Sequence, residues 1–170
     1  MQPLIEITMG NMLDQIASRY PDNDAVVYTD RPYRRTYAEF AAETNKIARG
    51  MLALGIKKGD KVAIWATNHQ QWLLTMFATA KIGAIMVTVN TSYKIFELEY
   101  LLRQSDTSTL ILMEGYRDVS YTDIVNQLNP GLKTSAPGQS VFPHLPYLKN
   151  VIYFGAGPTP PGMYNWDHLQ

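Results

Sequence analysis

The sequence predicts an α/β fold: a mainly parallel sheet with helices on both faces, plus a short N-terminal hairpin. Three observations predict it. Helix and strand patterns alternate between residues 36 and 113, with short joints between them. Strand patterns such as "KVAIW" at 61–65 and "TLILM" at 109–113 are mostly apolar on both faces rather than alternating, which fits a sheet covered on both sides. A strand–helix–strand succession of this kind requires parallel pairing and right-handed crossovers.

Each element has its own warrant. Residues 10–20 carry Met12, Leu13, Ile16 and Ala17 at helical spacing and stop before Pro21. "AVVYTDRPYRRTY" reads as two short strands joined by a tight turn at Asp30-Arg31-Pro32. Thr36 with Glu39 forms a capping box, in which hydroxyl and carboxylate each take an orphan backbone N–H. The helix it opens places Phe40, Thr44, Ile47, Ala48 and Met51 on one face, and Gly55 is the left-handed residue that ends it. Gly59-Asp60 turns the chain into a strand at Lys61–Ala66.

The pattern then recurs. Asn68 with Gln71 reads as a second cap, Trp72, Leu73, Met76, Phe77 and Ala80 as a second apolar stripe, and Gly83 as its stop. "AIMVTV" is the next strand, and Asn90 opens a polar junction after it. Ile95, Leu98, Leu101, Leu102 and Ser105 give a third helical face ahead of the strand at 109–113. A further helix near 121–129 and a strand at 149–154 extend the series, giving a Rossmann-like arrangement. Between them "PGLKTSAPGQSVFPHLPYLK" reads as a long functional or mobile loop. In open sheets of this class ligands bind at the carboxyl ends of strands, which here are Thr67-Asn68 and Asn90-Thr91.

Composition narrows the functions. The chain has 170 residues and a formal net charge of zero, so neither nucleic acid nor an anionic membrane is the expected partner. It has no cysteine, which removes disulfides, cysteine–zinc sites and thiol nucleophiles together. "MQPLIEITMG" lacks the basic and apolar regions of a signal peptide, and no apolar run reaches the ~20 residues of a membrane helix. A cytoplasmic location is the expectation.

No catalytic constellation is complete. There is no Gly-Lys dipeptide, hence no Walker A loop. "GAGPTPPG" at 155–162 begins like a dinucleotide fingerprint, but its prolines remove donors and block the receiving helix, so it reads as a plain loop. "GQSVF" around Ser140 falls one residue short of a nucleophile elbow and has no strand before it. His69, His144 and His168 share no metal spacing, so no metal ligand and no catalytic residue is assigned. His69 reads as a first-turn helix residue. Lys57-Lys58 and Arg34-Arg35 read as solvated turn charges, and Trp65 and Trp72 as core.

Two longer stretches carry a resemblance. "RTYAEFAAETNKIARGMLALGIKKGDKVAIWATN" followed by "WLLTMFATAKIGAIMVTVNTSYKIFELEYLLRQSDTSTLI" resembles the N-terminal part of the AMP-forming acyl-CoA synthetases of the adenylate-forming superfamily. "TYAEF" is similar to the family's first core motif and "AKIGAIMVTVN" to its second. "YLKNVIYFGAGPTPPGMYNWDHL" is similar to the segment such enzymes carry just ahead of their phosphate loop, and "VNTSYKIFELEYLLRQSD" most resembles the fatty-acyl members.

The resemblance implies a two-step ligase. A carboxylic acid is adenylated with ATP and Mg²⁺, and the acyl group then passes to the thiol of CoA. It implies that residues 1–170 are the N-terminal α/β subdomain of a longer enzyme, whose phosphate loop, later motifs and C-terminal domain are not in this sequence. The fragment is accordingly expected to be silent alone and to bind none of these cofactors tightly. Its partner would be the rest of its own polypeptide, with self-association through exposed apolar surface. By the same resemblance Lys94, in the loop after the second-motif Asn90, is the candidate contact to the CoA phosphates. The alternatives are an adenylation enzyme for amino or aryl acids and a stand-alone module that binds a nucleotide, CoA or another protein.

Overall fold

The structure is a computed structural model that describes Leu4 and residues 6–170. Thr8 caps α1 (Met9–Arg19) by accepting from the Asn11 amide at 3.2 Å. Of the four apolar residues expected on its inner face, Leu13 is fully buried, Ile16 and Ala17 are half-buried and Met12 is exposed. The hairpin follows as read: β1 (Asp24–Val27) pairs antiparallel with β2 (Arg34–Thr36). The two arginines on it are not free solvated charges. Arg34 pairs with Asp24, and Arg35 Nε donates to Glu43 at 2.5 Å, because the hairpin turns both toward carboxylates within reach.

Thr36 and Glu39 form the expected capping box at the start of α2 (Tyr37–Ala53), and all five residues of the anticipated face are buried. The helix ends in a Schellman motif. Gly55 has φ +83°, its N–H donates to the Leu52 carbonyl, and the Ile56 N–H reaches the Met51 carbonyl. The chain then enters β3 (Lys61–Trp65), whose last four side chains are completely inaccessible on both faces.

Two expectations fail at α3 (Gln70–Ile82). Asn68 and Gln71 do not make the cap. His69 is the N-cap, its side chain accepts nothing from the helix, and Asn68 is exposed. The buried face is Leu74, Thr75, Ala78 and Thr79, whereas Trp72, Leu73, Met76, Phe77 and Ala80 are only half-buried. This helix is apolar most of the way round, so periodicity could not say which side faces inward. Gly83, at φ +72°, closes it as expected.

The chain continues through β4 (Ile85–Thr88), α4 (Ile95–Gln104) and β5 (Thr107–Leu112). A small hairpin, β6 (Gly115–Tyr116) and β7 (Val119–Ser120), precedes α5 (Tyr121–Leu128). The Pro-rich stretch after it is not a loose loop. It opens with a 3-10 turn at Pro130–Thr134 and buries Leu132, Phe142, Leu145 and Leu148, while the Asn129 amide holds the Val141 carbonyl at 3.1 Å. The last strands are β8 (Asn150–Tyr153) and β9 (Tyr164–Asn165), and a 3-10 turn at Trp166–Leu169 follows.

The sheet runs β4-β3-β5-β8-β9 and every neighbouring pair is parallel. α3 carries the chain outward from β3 to β4, and α4 carries it back across β3 to β5. Two right-handed crossovers in opposite directions put their helices on opposite faces. The packing agrees, with α1, α2 and α3 in mutual contact and α4 against α5. No helix among the described residues is long and apolar enough to cross a membrane.

Candidate functional site

The strand order reverses direction at β3. The first crossover moves to one side of it and the second to the other, so the carboxyl ends of β3 and β5 flank the switch point where such sheets bind ligands. The chain leaves β3 through Thr67-Asn68-His69 and leaves β5 through Met113-Glu114. The two exits are tied together. The Met113 N–H donates to the Trp65 carbonyl at 3.4 Å, and the Thr67 amide and hydroxyl lie 3.4 and 3.6 Å from the Met113 sulfur.

Beneath this rim Trp65 and Tyr121 stack, and each supports the junction after β4. The Trp65 indole N–H donates to the Asn90 carbonyl at 3.0 Å, and the Tyr121 hydroxyl to the Thr91 carbonyl at 2.8 Å. Burial raises the Tyr121 phenol to about 12, so it stays a donor at any ordinary pH. Asn90 caps no helix. Its side chain accepts from the Ser92 N–H at 2.9 Å and closes a local turn, because the helix starts only five residues later.

On the other side of the switch point stands His69. Its Nδ1 lies 3.0 Å from Arg31 Nη1. A guanidinium has no acceptor, so Nδ1 accepts and the proton of the neutral ring sits on Nε2. Burial, seconded by the Arg31 charge, lowers the His69 pKa against smaller opposing effects of Glu114 and Asp30. Arg31 is held in turn by Asp30, at 2.7 Å, and lies over the Tyr28 ring. The His69 ring meets the edge of Phe154 just past β8, and an open cavity of about 380 Å³ lies among Tyr28, Asn68, His69 and Trp72. Glu114 and Tyr153 fold over Gly155, where a Cβ would overlap the tyrosine hydroxyl and crowd the carboxylate.

The structure brings Thr67, His69 and Asn90 to one rim and leaves the other singled-out residues apart. Ser140 is buried in the Pro-rich stretch, His144 is exposed, and His168 lies against Tyr164. Lys94 is the N-cap of α4. Its N–H donates to the Glu97 carboxylate at 3.1 Å, and its ammonium lies 3.3 Å from Asp118. Among the described residues no three His, Asp or Glu side chains are gathered to hold a metal ion. The rim therefore offers a neutral histidine backed by the Arg31 guanidinium, backbone groups and the Glu114 carboxylate, which suits orienting a ligand more than reacting with it.

A family model described as AMP-binding enzyme matches residues 13–153. The chain belongs to the AMP-binding enzyme family. An acyl-CoA synthetase by name, YngI of Bacillus subtilis (strain 168), is 53% identical over 170 residues, all of this chain and 31% of that one. The mitochondrial medium-chain acyl-CoA ligase ACSF2 of Danio rerio is 37% identical over 150 residues, 88% of this chain and 25% of that one. Among solved structures, a fatty acyl CoA synthetase of Mycobacterium tuberculosis superposes with a TM-score of 0.70 at 27% identity, over 88% of this chain and 26% of that one. The chain thus spans about a third or less of these AMP-binding relatives. Reasoning from the sequence missed Arg31 and Glu114 at the rim and Tyr121 beneath it. No local signal marks them, since each matters only through a partner distant in sequence.

Proposed function

We propose that this chain forms the N-terminal α/β subdomain of an ATP-dependent, AMP-forming acyl-CoA ligase acting on fatty acids. The observation that carries the reading is the 53% identity to an acyl-CoA synthetase along the whole of this chain. The resemblance to a medium-chain acyl-CoA ligase favours an aliphatic acid over an aryl or amino acid. Adenylation with ATP and Mg²⁺ turns a poor acyl donor into one with a good leaving group, and the CoA thiol then displaces AMP. In this reading the chain's share is the crevice rim, and residues 1–170 alone are expected to turn over no acid.

In this reading Lys94 contacts the CoA phosphates, releasing Asp118 to do so. A protein carrying this chain as its N-terminal part should release pyrophosphate in the presence of ATP and a medium- or long-chain fatty acid. Lys94→Gln should raise KM for CoA severalfold while leaving acid-dependent ATP–pyrophosphate exchange unchanged. Exchange driven by aryl or amino acids and not by fatty acids would overturn the substrate assignment. An unchanged KM for CoA would remove Lys94 from the site. The isolated chain should also self-associate through apolar side chains such as Phe96 and Tyr100, which are 80% and 60% exposed. A constant mass across concentrations in light scattering would count against that.

A further inference from the structure

A second cavity, of about 350 Å³, opens between α2, the first turn of α3, strand β2 and the Trp166–Leu169 turn. Its polar groups divide into those already committed and those still free. Glu43 is already paired, with Arg35 on one carboxylate oxygen and the Tyr33 hydroxyl on the other, at 2.5 and 2.7 Å. Arg35 is fixed in the half-buried wall. Besides Glu43 it donates to the Arg34 carbonyl at 2.9 Å, and its guanidinium lies 4.5 Å from the Tyr33 ring centre. Those two bonds use two of the five N–H donors of a guanidinium, so three remain.

The free groups are donors. Lys46, at the mouth, has no ion-pair partner among the described residues. Gln70 and Gln71 line the wall with their amide oxygens turned into the protein, out of reach of water and unpaired. The amide nitrogen is then the polar atom each can offer to the cavity. Opposing them stands one carboxylate, Asp167, on the exposed rim.

We propose that this cavity binds a small oxyanion, a carboxylate or a phosphate monoester. The Lys46 ammonium supplies the charge, and the Arg35 guanidinium and the two glutamine amides supply directed hydrogen bonds. The shared chemistry is an anionic oxygen pair or triad that accepts several N–H donors at once. Asp167 opposes the ligand and limits its affinity.

The test is a titration of the ¹⁵N-labelled chain with inorganic phosphate and with malonate at constant ionic strength, following the glutamine side-chain amides. Saturable shifts of the Gln70 and Gln71 amides are expected. Lys46→Gln should weaken binding by roughly threefold or more, the scale of a partly exposed ion pair. Asp167→Asn should tighten it, and Gln70→Glu with Gln71→Glu should abolish it. Thermal melts matching the parent chain establish that each variant folds. Tighter binding of phosphate assigns the site to phosphate esters, and tighter binding of malonate assigns it to carboxylates; both support the proposal. Shifts that do not saturate, or that are the same in Lys46→Gln, overturn it.

Discussion

The rings of Trp65 and Tyr121 stack with centroids 3.7 Å apart and planes 12° from parallel, and each donates to one of two consecutive carbonyls, those of Asn90 and Thr91. One aromatic pair from β3 and α5 thereby fixes the junction that follows β4. Both side chains are fully buried, so the pair is also part of the core.

Tyr121→Phe keeps the stack and deletes one donor. The Thr91 carbonyl then loses its buried partner, at a cost of about 1–3 kcal/mol. In urea unfolding the midpoint should fall without a change in slope, and amide exchange should accelerate at Ser92 and Tyr93. Unchanged exchange there would show that the hydroxyl does not hold the junction.

The Arg31–His69 contact predicts a pH dependence. The folded His69 pKa lies below its ordinary value of 6.5. Between the two values the unfolded chain binds a proton that the folded chain does not, so stability rises with pH across that window. The contribution is complete above 6.5 and lost below the folded pKa, where an imidazolium would face the Arg31 charge. Urea unfolding from pH 5 to 8 should show this slope in the parent chain and its loss in His69→Gln.

Gly50 inverts a usual rule. Alanine for glycine inside a helix ordinarily stabilises by about 1 kcal/mol. Here a Cβ on Gly50 would overlap the backbone of Leu169, where the last turn crosses α2. Gly50→Ala should therefore destabilise, displacing the terminal turn and exposing the buried Trp166, with a red-shifted tryptophan emission. A stabilised variant with unchanged emission would contradict the close crossing.

Thr36→Ala removes the hydroxyl half of the capping box at α2. The expected loss is about 1 kcal/mol, which for a chain of this size lowers Tm by roughly 2–4 °C. Calorimetry checks it, and Thr36→Ser should restore most of the loss.

The sequence by itself determined the order and kind of the elements. The Thr36–Glu39 box, the left-handed stops at Gly55 and Gly83, and the mostly apolar strand ending at Trp65 are local features, written within one turn or one strand. Local geometry obeys them directly, and their alternation dictates parallel pairing. The resemblance to AMP-forming ligases was legible for the same reason, being carried by contiguous motifs such as "TYAEF" and "AKIGAIMVTVN".

The tertiary structure alone decided which residues meet. It set the inner face of α3, which is apolar almost all round, and it assigned the two-residue strand β9, too short to show a period. It replaced the expected Asn68 cap with His69, whose partner Arg31 lies 38 residues earlier in the hairpin. It also joined Trp65 to Tyr121, and both to the carbonyls after β4. Such pairings depend on two crossovers closing over one sheet. The residues concerned have no fixed spacing in the chain, so no local pattern could announce them.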